Sequence, residues 1–182
     1  MNNALHEMNV RGHIFRIMPI YLWHATHAKG ILLNTARLGQ GIVYSISYIR
    51  ELELDGAITS YGAFNSNPDK EDAWEKIRLA EFPFLPTRKH SIFLFDCSDD
   101  AELACRTWFA NECRLIVKAQ IVVGSTVHIA DTSWLDCEPD QWESHARAYW
   151  RGEVTNSPRR EVIVHGPVYF PDWESEPFGC SF

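Results

Sequence analysis

Apolar and polar positions along this chain change over in short runs, most of them too brief for a helix face. The runs at 14–18 or 20–26, 42–48, 91–95, 115–122, 126–129 and 161–170 are rich in β-branched and aromatic residues and read as strands. Three longer stretches have the helical period instead. Pro68 opens one, with Asp69, Glu71 and Asp72 in its first turn and Trp74, Ile77 and Phe82 at helix-like spacing, ending near Pro83. Ser98-Asp99-Asp100 precedes Ala101, Leu103, Ala104, Trp108 and Phe109, with Glu102 three after Asp99, the pattern of an N-capped amphipathic helix over 98–109. Pro139-Asp140 starts a third, with Trp142, Ala146, Tyr149 and Trp150 on one side. A short helix is read over 27–34, and 54–67, with Gly56, Gly62 and Asn65-Ser66-Asn67-Pro68, reads as a long loop. Strands predominate with helices between them, so the expected class is α+β. With no repeat and no Pro/Gly/Ser linker, the expectation is one domain over 1–182 with its core at about 14–172.

Composition narrows the class without naming a function. Hydrophobic residues make up 46% of 182 and charged residues 23%, as in an ordinary globular protein. No stretch approaches the roughly 18 apolar residues of a membrane span, so no membrane partner is expected. The N-terminal residues show no basic region followed by an apolar core, hence no secretory signal is read and a cytoplasmic location is expected. The five Cys at 97, 105, 113, 137 and 180 are odd in number and contain no C-x-x-C, which fits reduced thiols. A net charge of -7 argues against a generic surface for phosphate backbones, although Arg159-Arg160 and Arg88-Lys89-His90 form local basic patches.

The usual nucleotide cradles, the zinc-protease H-E-x-x-H and the G-x-S-x-G elbow are all missing. His24 and His27 would share a face if they lay on a helix, but no third ligand has matching spacing, so no metal is expected. Cys97 or Cys113 would need a neighbouring base to act as a nucleophile, and a buried structural thiol is the favoured reading. What stands out is the run from Ile20 to Thr26, a buried strand pattern ending on His24 and Thr26, two side chains that need hydrogen-bond partners. Two other segments put polar groups at a strand end: Pro86-Thr87-Arg88-Lys89-His90-Ser91 before 92–95, and Arg159-Arg160-Glu161 before 162–168. Read from position alone, Glu161 is a solvated residue closing the loop 152–160.

The order of these segments resembles the ADP-ribosyltransferase superfamily: His24 with Thr26 on a first strand, 91–95 running into the helix from Ser98, and Glu161 on a late strand. The middle part, 91–104 with 115–119 and 131–135, is similar to the RNA 2′-phosphotransferase branch. The ending, Ala148-Tyr149-Trp150-Arg151-Gly152 followed by Glu161-Val162-Ile163-Val164, is similar to DNA-modifying ADP-ribosyltransferase toxins, and 82–91 resembles small uncharacterised bacterial proteins. The resemblance covers about residues 20–170. It implies split antiparallel sheets with flanking helices, and NAD as the substrate of a mono-ADP-ribosyl transfer to a macromolecular acceptor, protein or nucleic acid. It also implies a toxin, effector or phage-related role, with an antitoxin or immunity protein as a further partner.

On this resemblance Glu161 stabilises the oxocarbenium-like state and is catalytic, and His24 is catalytic while bonding a ribose hydroxyl. Thr26 or nearby main chain holds the nicotinamide amide, Arg88 pairs with the pyrophosphate, and Ser91 belongs to the cofactor-binding set. Tyr44, Tyr48 and Tyr61 are alternatives for stacking on nicotinamide, with Tyr44 taken first. Two other readings stay open: an RNA 2′-phosphotransferase-like enzyme, and a non-catalytic nucleotide- or protein-binding module on the same fold.

Overall fold

The two apolar runs at 14–18 and 20–26 belong to one strand, β2 (His13–His27). Pro19 lies inside it and has no N–H to give, and the pairing of β2 with β5 (Arg114–Val122) shifts register between Ile17 and Tyr21. The computed structural model describes residues 5–28, 30–51 and 67–178. All of the 54–67 loop except Asn67 lies outside the described residues, as do Tyr61 and Cys180. Among the described residues the fold is α+β, built on two sheets of five and three strands, and β1–β2, β2–β5, β3–β8, β5–β8 and β6–β7 all pair antiparallel. Here β1 is His6–Val10, β3 Ile42–Tyr44, β6 Thr126–Asp131, β7 Arg160–His165 and β8 Pro167–Tyr169. No helix among the described residues is long and apolar enough to cross a membrane.

The chain divides into two compact units, each assembled from separated segments. Unit 1 comprises Met1–Tyr44, Leu94–Ser125 and Gly166–Phe182. It holds the five-stranded sheet, in the order β1-β2-β5-β8-β3. Side chains alternate across a strand, so Trp23 and Ala25 face one side of β2 while Leu22, His24 and Thr26 face the other. The first side is covered by α4 (Ser98–Thr107), whose Ala101 and Ala104 pack with Ala25 and Phe95. The cap of α4 is the Cys97 sulfur, which accepts the Asp100 N–H at 3.4 Å, and the helix stops two residues short of the expected 109.

Unit 2 comprises Ser45–Phe93 and Thr126–His165. Its sheet has the order β4-β7-β6, with β4 at Ile92–Leu94. Two of its helices, α3 (Pro68–Glu81) and α5 (Trp142–Trp150), start where the sequence pattern puts them, α5 after a short 3-10 turn at Pro139–Gln141. Asn67 caps α3 by accepting the Lys70 N–H at 3.1 Å, and Pro68 occupies the first turn, where a missing N–H costs nothing. Trp74, Tyr149, Trp150 and Ile163 form a core with Ala130 and Ala146, and the Trp150 indole donates to the Trp74 carbonyl at 2.9 Å, fastening α5 to α3.

Three expected elements need correction. The run 42–48 is strand only through Tyr44; α2 (Ile46–Glu51) follows because Ser45 starts a turn, its hydroxyl accepting the Tyr48 N–H and its carbonyl the Ile49 N–H. The helix expected over 27–34 begins instead at Ile31, as α1 (Ile31–Leu38), because His27 is still paired to Arg114 in the sheet. The run 161–170 is cut at Gly166, whose φ of 124° suits only glycine and whose Cβ, if present, would lie 2.7 Å from the Ser125 hydroxyl. His165 therefore ends a strand of one sheet and Pro167 begins a strand of the other.

Gly41 joins α1 to β3 at φ 87°, and a Cβ there would meet Tyr169 at 2.4 Å and Trp173 at 2.7 Å. Gly41→Ala is expected to destabilise the protein by about 2–4 kcal/mol through positive φ and overpacking together. Urea unfolding of the variant beside wild type checks this; a loss under about 0.5 kcal/mol would show that the rings move aside freely.

Candidate functional site

Unit 2 buries a charged cluster in which three elements meet. On α3, Glu71, Trp74 and Arg78 are all buried along one stripe, so two charged groups stand where an amphipathic helix usually places apolar ones. Arg78 binds Glu75 at 2.7 and 3.0 Å and donates to the carbonyls of Pro83 and Leu85, while the Thr87 hydroxyl donates to Glu75 at 2.9 Å. These bonds tie segment 82–87 back onto the end of α3 and deliver Arg88 to the interior, 1% exposed.

The Arg88 guanidinium donates to Glu71 through Nε at 3.1 Å and through Nη2 at 3.3 Å, and its Nη1 donates to both Glu161 and the Tyr149 hydroxyl. Phe93 and Tyr149 present their rings to it at 5.3 and 5.1 Å from ring centroid to guanidinium carbon. Glu161 is 4% exposed at the head of β7, and its Oε1 also accepts the Tyr149 hydroxyl at 2.6 Å. Burial first, and the negative charge of Glu161 after it, push the Tyr149 phenol well above its ordinary 10, with Arg88 opposing. Tyr149 therefore stays protonated and serves as a donor. Behind it, His128 bonds the Tyr149 carbonyl at 3.1 Å; burial and then the Arg88 charge lower its pKa against that bond, so the ring stays neutral.

The loop that leads into Glu161 is held just as firmly. Asp131, at the end of β6, accepts backbone N–H bonds from Ser133 at 2.9 Å, Thr155 at 2.8 Å and Arg159 at 2.9 Å, and the Thr155 hydroxyl at 2.7 Å. Burial alone would raise its carboxyl, but these donors outweigh burial and hold it at about 2, below the ordinary 3.8. A depressed carboxyl contributes stability that is complete above the unfolded-state value and is lost as pH falls toward the folded one. Wild type is thus expected to lose about 2 kcal/mol between pH 4 and pH 2 through this group, and Asp131→Asn to be free of that part of the loss. Urea midpoints for the two proteins across pH 2–5 check it; parallel curves would remove Asp131 from the account.

Of the residues singled out from sequence, Arg88 and Glu161 are brought into direct contact. Arg88 meets protein carboxylates on two sides, so the fork expected to hold a pyrophosphate is turned toward Glu71 and Glu161. Ser91 lies in the same unit, 3% exposed, and its hydroxyl finds no hydrogen-bond partner among the described residues. His24, Thr26 and Tyr44 belong to unit 1. His24 is half-buried against the edge of Phe170 at 6.0 Å, Thr26 is buried on the same face of β2, and Tyr44 is exposed at the end of β3. Because both lie on β2 three residues apart, His24 and His27 point to opposite faces and cannot share an ion. Cys97 and Cys113 are free thiols; burial pushes the Cys97 thiol up, away from the thiolate a nucleophile needs.

Sequence reading missed Glu71, Tyr149 and Asp131 as members of this site. Glu71 looked like an ordinary first-turn acid and Tyr149 like part of an apolar face; only the spacing of Glu71, Trp74 and Arg78 hinted that charge was turned inward. A family model described as "Protein of unknown function (DUF2441)" matches residues 39–172. The chain belongs to the DUF2441 family. The span shared with DUF2441 contains Tyr44, Glu71, Arg88, Ser91, Asp131, Tyr149 and Glu161, while His24 and Thr26 precede it. No curated protein matches the chain.

Proposed function

We propose that this DUF2441 protein is an NAD-dependent mono-ADP-ribosyltransferase with an ADP-ribosyltransferase-like fold, acting on a macromolecular acceptor, and that Glu161 is its catalytic carboxylate. The observation that carries the reading is the fixed position of Glu161. A carboxylate at the head of a late strand is where the resemblance places the group that stabilises the ribose cation, and here Arg88 and Tyr149 hold that side chain in one orientation. As the bond from nicotinamide nitrogen to ribose C1′ lengthens, positive charge builds on the ribose. A preorganised carboxylate lowers the energy of that state without reorganising during the step. Nicotinamide leaves with the bonding pair, and the acceptor's nucleophile then bonds to C1′ and gives up its proton. Ser91, a buried hydroxyl lacking a described partner, suits a second polar contact to the substrate.

A second reading, a non-catalytic nucleotide- or protein-binding module on the same fold, is favoured by the burial itself. Glu161 is 4% exposed and engaged by two donors, as in a purely structural ion pair. Calorimetry with NAD separates the two. Heat of binding followed by slow release of nicotinamide supports the transferase, binding with no release supports a nucleotide-binding module, and no binding up to millimolar NAD contradicts both of these. Labelled NAD with a cell lysate, followed by separate nuclease and protease digestion of the labelled product, then identifies the acceptor class.

A further inference from the structure

We propose that Ser47 is a base-activated nucleophile and that Ser47, His165 and Glu51 form a second catalytic site, for acyl transfer from small esters. Ser47 and Glu51 lie four residues apart on α2, hence on one helix face, and both reach the imidazole of His165 at the end of β7. The Ser47 oxygen is 2.8 Å from His165 Nδ1, and Glu51 Oε2 is 3.1 Å from Nε2. A carboxylate only accepts hydrogen bonds, so in the neutral ring Nε2 carries the hydrogen and Nδ1 presents its lone pair to the Ser47 hydroxyl. That is the polarity a general base requires: nucleophile, base, and a carboxylate that fixes the tautomer.

The surrounding contacts keep the three in register. The Ser47 N–H donates to the His90 carbonyl at 2.8 Å, the Ser45 and Ser47 hydroxyl oxygens are 3.0 Å apart, and the Tyr48 ring meets the His165 ring edge-on at 5.6 Å. Exposure rises along the relay, from Ser47 at 9% through the His165 side chain at 17% to the Glu51 side chain at 69%. Because the nucleophile is the least exposed of the three, the acyl group it takes must be small. The site does not depend on the reading of Glu161, which stands at the other end of β7, four residues and about 13 Å away.

In the reaction the Ser47 oxygen bonds to the acyl carbon, and its proton passes to His165 Nδ1. The carbon–oxygen bond to the alcohol breaks, and the departing alkoxide takes that proton. Water then attacks the acyl-serine with His165 again accepting a proton, which returns to Ser47 as the acid is released.

The test treats the full chain with a reporter-tagged fluorophosphonate, in which the Ser47 oxygen displaces fluoride from phosphorus and the proton leaves by way of His165, and maps the adduct by peptide mass. The expected result is a single adduct on Ser47, formed about a hundredfold more slowly in His165→Gln and at least about tenfold more slowly in Glu51→Gln, with p-nitrophenyl acetate hydrolysis falling in parallel. Glu51 is exposed, so its variant keeps the test valid if His165→Gln does not fold. No adduct, an adduct on another residue, or labelling of Ser47 at the wild-type rate in Glu51→Gln overturns the proposal.

Discussion

Glu161→Gln is expected to slow nicotinamide release from NAD about a hundredfold while leaving NAD affinity within about threefold. Glutamine keeps the length of the side chain and one carbonyl oxygen, so Tyr149, whose hydroxyl is 2.6 Å from the Glu161 carboxylate, keeps an acceptor. On the proposed reading, what is lost is the negative charge beside the developing ribose cation, worth about 3 kcal/mol of barrier in a preorganised site. A fall in kcat with KM unchanged marks an interaction made in the transition state; a rise in KM alone would reduce Glu161 to a binding contact.

Arg88→Met is expected to cost about 3–5 kcal/mol of stability, more than any other single change to this cluster. Methionine fills much of the same volume between Phe93 and Tyr149, so packing is largely kept. The charges are not, and Glu71 and Glu161 would be left buried without their shared cation. Combining Arg88→Met with Glu161→Gln removes one of the stranded carboxylates. The double variant should therefore lose less stability than the two single losses added together. Denaturant unfolding of the four proteins closes the cycle, and additive losses would mean that Arg88 and Glu161 do not depend on each other.

Where local chemistry decides an element, the chain was readable before its structure. Pro68 after Asn67 starts a helix as the side chains dictate, and the acidic turn at 98–100 opens another, although Cys97 just before it is the residue that caps it. Where a neighbour decides, it was not. The run at 42–48 is apolar enough for a strand, yet the Ser45 hydroxyl captures the Tyr48 N–H and turns the chain into α2. The run at 161–170 looks continuous until Gly166, whose φ of 124° lets the chain leave one sheet for another. The strand β1, reading His-Glu-Met-Asn-Val, has no strong period of its own and exists through its pairing with β2.

The site was legible to a similar degree. Glu161 and Arg88 stood out as polar residues at strand ends, and they do meet. Read from position alone, however, Glu161 was a solvated loop residue, and it is 4% exposed. The partners that bury it come from distant parts of the chain: Tyr149 from what reads as an apolar helix face, and Glu71, reached through Arg88, from what reads as a helix start. A lone sequence carries no signal that joins positions 71, 88, 149 and 161, because what joins them is the packing of α3 and α5 about one core.

Release of nicotinamide from NAD, followed for the purified chain beside Glu161→Gln, bears on the central claim most directly. Release by wild type that falls about a hundredfold in the variant, with both proteins folded, is the expected result. Equal release by the two proteins would contradict it, as would NAD that binds and is never cleaved.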